Sequence, residues 1–204
     1  MTRQRRWFLP ETPDVLGLLR GQLAVTLVGL DAFMAWAVGD ALAAAGVREA
    51  EHRGDAAKRE LLTALRVAFV TPLEPEDVFA LSRGIDRLLN HARDLIDESE
   101  AMACPPDARI AEMASLLASA LRKIDTGVAS LGADADAATE AADAAITLER
   151  QLERVYYAGM AELLKIEDRN ERIARRELYR SCSRLGETIV DIAERTVYAV
   201  MKES

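Results

Sequence analysis

The amino-acid sequence predicts an all-α protein. Half of its 204 residues are apolar and only 5% are aromatic, while just 11 Gly and 6 Pro interrupt the chain. Turn-forming residues are therefore too few for a β-sandwich with a turn every ten residues. Ala, Leu, Glu and Arg are abundant, and these residues lose little side-chain freedom in a helix. The length suits one sizeable core or two small ones.

Three helices are predicted in the first half. The first is expected to start from a cap at Thr12 and to run to about Gly46, because apolar residues recur there at steps of three and four. The second spans about 47–70 and ends before Pro72, since the residue that precedes a proline avoids the helical region. The third begins at Pro75, with acidic residues in its first turn.

The second half repeats this plan. Helices are predicted from about Asp107 to Leu131, from the break after Gly132 through Leu164, and from about Asn170 to Lys202. The six helices form two three-helix units. The predicted divisions are a basic N-terminal arm (1–13), a first unit (14–104) and a second unit (105–204), with the two units packed as one domain.

Charge and cysteine content exclude several classes of protein. A net charge of −8 opposes non-specific binding to nucleic acid, because phosphates are repelled. Cys104 and Cys182 fit neither a zinc site nor a secreted disulfide framework, which favours a reducing, cytoplasmic location. Three charged residues interrupt the most apolar stretch, 16–47, so no membrane span is expected. The basic arm offers at most peripheral contact with a membrane.

Pairs of carboxylates are the main candidates for chemistry. With 34 acidic residues and two histidines, a metal site in this chain would use oxygen ligands. Glu51 and Asp55 are echoed by Glu149 and Glu153, each pair lying one helical turn apart on one face. Asp86 with Asn90 is echoed by Glu187 with Asp191 at nearly the same offset, which suggests a diverged duplication.

Two interpretations of these acids remain open at this point. Glu149 and Glu153 interrupt an otherwise apolar stripe, where a carboxylate needs a cation or hydrogen bonds. Such pairs also occur on solvated helix faces, where Arg150, Arg154, Arg184 and Arg195 are near enough in sequence to form ordinary salt bridges.

Enzymatic motifs are not found. Glu49 and His52 match half of a ferritin-like di-iron motif, but the second copy that this site requires is missing. The sequence contains no nucleophile elbow and no phosphate-binding glycine loop. We therefore predict a protein that is not an enzyme.

Several segments resemble a known family. They are Glu-His-Arg-Gly-Asp (51–55), Arg-Glu-Leu (59–61), Phe-Val-Thr-Pro-Leu-Glu-Pro-Glu-Asp (69–77), Gly-Ile-Asp-Arg-Leu-Leu-Asn (84–90) and the ending from Glu187 to Lys202. In order and spacing they are similar to the PhoU-like family of phosphate transport regulators. The resemblance implies a bundle of two three-helix units that acts as an accessory or regulator of low-affinity inorganic phosphate transporters.

The resemblance also implies metal binding by carboxylates. The implied ligands are Glu51, Asp55, Asp86, Glu149, Glu153, Glu187 and Asp191. Iron, magnesium, manganese or calcium would suit these oxygens. Asn90 stands where the family commonly has an acid, and Gly54 lies between the first pair, so the first site is expected to be weaker. A bound metal would reverse the local charge and let phosphate approach.

Two functions from different classes follow. The first is a non-enzymatic regulator that binds the cytoplasmic face of a phosphate transporter or a signalling partner. The second is a structural helical adaptor without metal, on which partner helices dock. The sequence leaves open whether the protein forms a homo-oligomer.

Overall fold

The computed structural model describes residues 13–203, and this range is helical with no strand. The helices are α1 (Val15–Ala37), α2 (Ala43–Val67), α3 (Pro75–Ala101), α4 (Ala108–Ser130), α5 (Ala135–Glu162), a short 3-10 turn (Leu163–Lys165) and α6 (Arg169–Glu203). The predicted all-α class with six helices is confirmed. Residues 1–12, most of the predicted arm, lie outside the described range.

The helices pack as two sets of three, α1–α3 and α4–α6, which contact each other. Within the first set α2 contacts α1 and α3, and within the second α5 contacts α4 and α6. The sets meet where α3 packs on α6 and α1 packs on α4, and one hydrophobic cluster contains residues of all six helices. The predicted boundary between units falls in the α3–α4 connection, although the division into units stays a prediction.

The first helix is shorter than predicted. It ends at Ala37 instead of about Gly46, because Gly39 adopts a positive φ of 108° that is left-handed and suits glycine. Asp40 then accepts a hydrogen bond from the Leu42 backbone N–H at 3.0 Å. Val38 and Leu42 are exposed here, so the apolar stripe that predicted one helix continues through a surface turn.

The start of α1 also differs from the prediction. Asp14, rather than Thr12, is the capping residue, and its Oδ1 accepts a hydrogen bond from the Gly17 N–H at 2.8 Å. Thr12 itself lies outside the described residues. A carboxylate at this position satisfies a free N–H and complements the positive end of the helix dipole.

Replacing Asp14 with Ala should therefore cost about 1 kcal/mol of unfolding free energy. For a chain of this size the melting temperature would fall by about 2–4 °C. Asp14→Ser keeps a capping oxygen and should retain most of the stability. An equal loss in both variants in thermal unfolding would contradict the assigned cap.

The first helix is apolar and packs one face into the core. By length and composition α1 passes as a candidate membrane span, a test that the core helix of a bundle also passes. Leu19, Leu23 and Phe33 are fully buried in the core. The Gln22 amide donates to the Ser82 carbonyl at 3.0 Å and accepts from the Ser82 hydroxyl at 2.7 Å, so this buried polar group is satisfied within the bundle.

Antiparallel packing of α3 on α6 joins the two halves. Glu98 near the end of α3 accepts a hydrogen bond from Ser181 in the first half of α6 at 2.5 Å. At the other end of α3, Asp77 forms an ion pair with Arg195 at 2.7 Å. Between them Gly84 allows close approach, since an added Cβ would lie 2.6 Å from Cγ1 of Ile192. This seam fixes α6 relative to the first half.

Candidate functional site

The seven predicted ligands lie on the second and third helices of each half. Glu51 and Asp55 are on α2, Asp86 is on α3, Glu149 and Glu153 are on α5, and Glu187 and Asp191 are on α6. The positions that echo one another in sequence thus occupy corresponding helices. Their surroundings, however, differ sharply between the halves.

Glu51 is a buried carboxylate that already has a cation. Its side chain is 8% exposed, and Oε1 lies 2.5 Å from Nη1 of Arg93 on α3. The ring Nδ1 of exposed His52 is 3.1 Å from the other carboxylate oxygen. One turn later, Asp55 is 3.6 Å from the Arg59 guanidinium on the surface. The first predicted pair is therefore neutralised by the chain itself.

Asp86 is neutralised in the same way. Its side chain is 10% exposed, and Oδ2 lies 2.6 Å from Nζ of Lys58 on α2. The Asn90 amide donates to the Asp86 backbone carbonyl at 3.1 Å and to its carboxylate at 3.3 Å. An acid at position 90 would repel Asp86, whereas the amide holds it. Gly54, also noted in the sequence, gives Leu89 room to pack against α2.

Glu149, Glu153 and Glu187 form the contrasting set, here called the α5–α6 carboxylates. Partial burial raises the pKa of Glu149, and the negative charges of Glu153 and Glu187 raise it further. The Glu149 side chain lies against Gly186 of α6, where an added Cβ would be 3.4 Å from its Oε1. None of the three carboxylates forms an ion pair within residues 13–203. Glu153 and Glu187 thus both repel the Glu149 carboxylate, and Arg150 opposes this effect without forming an ion pair in that range.

Asp191 has a different neighbour. Its Oδ2 is 2.7 Å from Nη2 of Arg87 on α3, and its side chain is 59% exposed. Asp191 therefore contributes to the α3–α6 seam, and its charge is neutralised by Arg87.

The salt bridges suggested by sequence proximity are not the ones that form. Arg195 pairs with Asp77 at 2.7 Å and Arg184 lies 3.8 Å from Glu98, both on α3. Arg150 and Arg154 form no ion pair with any residue that the structure describes, although Arg150 slightly lowers the pKa of Glu149. The α5–α6 carboxylates are thus not part of an ordinary network of surface ion pairs.

The sequence contains a signal for this asymmetry. At the offset that relates Glu51 to Glu149, Lys58 corresponds to Tyr156. At the offset that relates Asp86 to Glu187, Arg93 corresponds to Glu194. The two cations that neutralise the first half are therefore replaced by a phenol and another acid in the second.

The acidic residues of the first half and the α5–α6 carboxylates differ in how readily they could bind a metal ion. In the first half, a cation would have to displace Arg93 and Lys58. In the second, three carboxylates without an ion pair among the described residues supply the hard oxygen ligands that Mg²⁺, Ca²⁺, Mn²⁺ or iron would require. Across the described range no three His, Cys, Asp or Glu side chains are already gathered around one point, so ligation would require rotamer changes.

An open groove of about 480 Å³ lies beside the α5–α6 carboxylates, and sequence reasoning did not identify it. Glu153 and Glu187 line it together with Tyr156, Tyr157, Glu177, Arg180, Ser183 and Arg184. The spacing of the α6 residues at steps of three and four, which places them on one face, was the available signal. The groove gives small solutes access to the carboxylates.

Sequence comparison alone does not place this chain. No family model matches it, and no curated protein matches it at a significant level.

Comparison of structures identifies the fold. A PhoU-like protein of Shewanella oneidensis superposes with a TM-score of 0.82 at 14% identity, over 93% of this chain and all of that one. A PhoU-like phosphate regulatory protein of the same organism gives 0.68 at 14% identity, covering 93% and 96%. The phosphate transport system regulatory protein PhoU of Streptococcus pneumoniae gives 0.73 at 16% identity, covering 94% and 95%. The chain therefore has the PhoU-like fold over nearly its whole length, as the sequence resemblance predicts.

Proposed function

We propose that this protein regulates inorganic phosphate transport as a cytoplasmic, non-enzymatic accessory of a transporter or of its signalling partner. The observation that carries the proposal is the superposition on PhoU-like proteins across more than nine-tenths of the chain. The segments quoted from the sequence also support it, and they lie on α2, α3 and α6 and in the α2–α3 loop.

Within that role, the α5–α6 carboxylates are the proposed metal site. Glu149, Glu153 and Glu187 would hold the cation, which would neutralise their mutual repulsion and offer phosphate a positive contact. The ligands Glu51, Asp55, Asp86 and Asp191 stay predictions that would require their ion pairs to break. The alternative function, a metal-free helical adaptor, is favoured by those same ion pairs in the first half.

Elemental analysis tests the metal site. Metal-depleted protein would be loaded with iron(II), manganese, magnesium or calcium, desalted and compared with Glu149→Gln/Glu187→Gln. Loss of two ligands should weaken binding by on the order of tenfold or more. Glu140→Gln/Asp143→Asn, which removes two exposed charges from α5, is the matched control and should bind as the parent does.

A second variant separates charge from ligation. Tyr156→Lys restores the cation that Lys58 supplies in the first half, so it should reduce metal content while every carboxylate is retained. Absence of metal from the parent under all loading conditions, with an unchanged melting temperature, would favour the adaptor.

Association with a transporter tests the regulatory role. The tagged full chain should co-purify an inorganic phosphate transporter from detergent extracts of its source cells at low salt. Failure to retain a transporter or a signalling protein of the phosphate response would count against the proposed role, whatever the metal content.

A further inference from the structure

The outer face of the first half of α6 is strongly basic. Between Arg169 and Arg184 the helix contains six arginines and two glutamates, whereas the whole chain has a net charge of −8. Five of these arginines recur at steps of three, four, four and four, which places them on one face of the helix. They are Arg169, Arg172, Arg176, Arg180 and Arg184, here called the arginine stripe. At the rise of an α-helix the stripe is about 22 Å long.

The stripe faces solvent because the other side of this part of α6 lies in the core. Ala174, Leu178, Cys182 and Leu185 are buried on that side. All of the stripe is exposed except Arg172, which is half-buried. A ligand can therefore approach the stripe along α6 from solvent.

Most of the stripe has no carboxylate partner. Within residues 13–203, Arg169, Arg176 and Arg180 form no ion pair, and Arg172 donates to a backbone carbonyl at 3.2 Å. By contrast, Arg175 on the flank of the same helix forms two ion pairs. The guanidinium groups of the stripe are thus largely available to an anion from outside.

Helix stability does not account for these arginines. Arg169 and Arg172 lie in the first turn of α6, at the positive end of the helix dipole, where cations are unfavourable. The cap of this end is Asp168, which accepts a hydrogen bond from the Glu171 N–H at 2.8 Å. Residues that oppose a local rule of this kind are expected where a functional surface requires them.

The residue types of the stripe suit a protein partner. All six cations between Arg169 and Arg184 are arginine and none is lysine. The guanidinium fork binds a carboxylate or a phosphate through two parallel hydrogen bonds. Ile173 lies within the stripe and is 46% exposed. Arginine and apolar contacts together are typical of the centre of a protein interface.

Acidic residues border the stripe and restrict the shape of its ligand. Glu98 of α3 lies 3.8 Å from Arg184, and three glutamates line the α5–α6 groove beside Arg180. At the other end, exposed Glu167 precedes α6. A broad anionic surface, such as a bilayer or a nucleic-acid duplex, would meet these carboxylates as well as the arginines and would be repelled. A narrow acidic segment along α6 would contact the arginines and leave most of these carboxylates in solvent.

We propose that the arginine stripe binds an acidic segment of a partner protein, with the partner's carboxylates at helical spacing along α6. Glutamate or aspartate at every third or fourth position of a partner helix lies on one face, as the arginines do. The inference names the chemistry of the partner contact and in that respect rests on the proposed function. It does not involve metal, because its arginines are separate from the α5–α6 carboxylates.

Fluorescence anisotropy of labelled peptides with the full chain tests the proposal. The probe is an alanine-based helical peptide of about 20 residues with glutamate at every fourth position, and its control has glutamine at those positions. The parent should bind the glutamate peptide at low salt and lose it as ionic strength rises, because exposed charges are screened. It should not bind the glutamine peptide.

A stripe variant locates the contact. Arg169→Gln/Arg176→Gln/Arg180→Gln should bind the glutamate peptide on the order of tenfold more weakly, because three ion pairs with the peptide are lost. Its melting temperature should not fall, since these arginines form no ion pair in the part of the chain that the structure describes. The lost binding would then reflect the missing contacts and not a loss of fold.

A matched control removes the same charge elsewhere. Arg53→Gln/Arg66→Gln/Arg150→Gln replaces three exposed arginines outside the stripe and should bind as the parent does. Equal loss in both variants, or a parent that does not bind the glutamate peptide, would overturn the proposal. So would stripe-dependent binding to phosphatidylglycerol vesicles, which would identify a membrane contact. A dimeric parent with a monomeric stripe variant in light scattering would identify a second copy as the partner.

The peptide and transporter experiments can fail separately. A parent that co-purifies a transporter without binding the glutamate peptide would support the proposed function and contradict the role of the stripe. A parent that binds the peptide through the stripe but retains no transporter or signalling protein would support the acidic-segment site and count against the proposed function.

Discussion

Replacing Glu51 with Gln is expected to destabilise the metal-free protein, whereas replacing the corresponding Glu149 with Gln is expected to stabilise it. Glu51 is buried against Arg93 at 2.5 Å, so its removal takes the buried partner from a partly buried guanidinium and leaves it only the exposed Asp94 at 2.8 Å. Breaking such a pair from one side is costly. Because Arg93 is 33% exposed, solvent reduces the loss to about 2 kcal/mol, a fall of about 4–8 °C in melting temperature.

The gain for Glu149→Gln has the opposite electrostatic origin. Glutamine keeps the shape of the side chain and removes a charge that burial and two neighbouring carboxylates oppose. Since the group is only half-buried, screening limits the gain to at most about 1 kcal/mol. Glu49→Gln on α2 and Asp143→Asn on α5 remove exposed charges from the same helices and should change little. If Glu51→Gln and Glu149→Gln changed the melting temperature in the same direction, the inferred difference between the two halves would be contradicted.

The effect of Glu149→Gln should also depend on pH. Because the pKa of Glu149 is raised in the folded protein, the native state binds this proton more tightly than the unfolded chain does. Stability from this group is therefore lost as pH rises from the ordinary value near 4.5 through the raised one. The advantage of the variant should be greatest above that window and should vanish below it in thermal unfolding measured across pH.

A bound metal ion should reverse the stability difference between the parent and Glu149→Gln. If the α5–α6 carboxylates bind a cation, the parent should gain melting temperature on loading and Glu149→Gln should gain less. Melting temperatures of the parent and Glu149→Gln, measured without and with metal, thus report both the repulsion among the carboxylates and its neutralisation by the cation. The metal-free measurement stands even if no metal binds, so the two conclusions can fail separately.

Most of the fold could be predicted because helical periodicity is a local property. The boundaries of α3, α4 and α6 lie within a few residues of those predicted from Pro75, Asp107 and the later apolar row. The break after Ala37 could not be predicted from the stripe, because Val38 and Leu42 continue its spacing while facing solvent. The signal lay in Gly39 and Asp40, whose backbone and side chain close the turn.

The site was less predictable because ion pairs depend on tertiary packing. The unusual position of Glu149 follows from an acid that interrupts an apolar stripe, and its raised pKa agrees with that reasoning. The neutralisation of Glu51 by Arg93 and of Asp86 by Lys58 joins residues 42 and 28 positions apart. Local spacing carries no such information. Only a position-by-position comparison of the two halves identifies the cationic residues of the first half that have no counterpart in the second.

Replacing Asp77 with Asn should be the most damaging change at the seam between the halves. The Asp77 side chain is 2% exposed, with Arg195 at 2.7 Å and Lys202 at 3.3 Å. The carboxylate also lies in the first turn of α3, where it complements the helix dipole. Loss of its charge leaves the Arg195 guanidinium without its carboxylate partner, while Lys202 keeps Glu74. The cost should be about 3 kcal/mol, or about 6–12 °C in melting temperature.

A second change at the same seam provides the control. Asp191→Asn breaks a pair with Arg87 at 2.7 Å, but that carboxylate is 59% exposed, so its loss should cost less than about 1 kcal/mol. Both pairs join α3 to α6 at 2.7 Å, but Asp77 is buried and has Lys202 as a second cation, whereas Asp191 is exposed and has Arg87 alone. Amide hydrogen exchange should speed up in the last turns of α6 in Asp77→Asn and not in Asp191→Asn. Equal shifts in melting temperature would mean that the seam is held by apolar packing, such as that of Ile192 on Gly84, and that the buried charges contribute little.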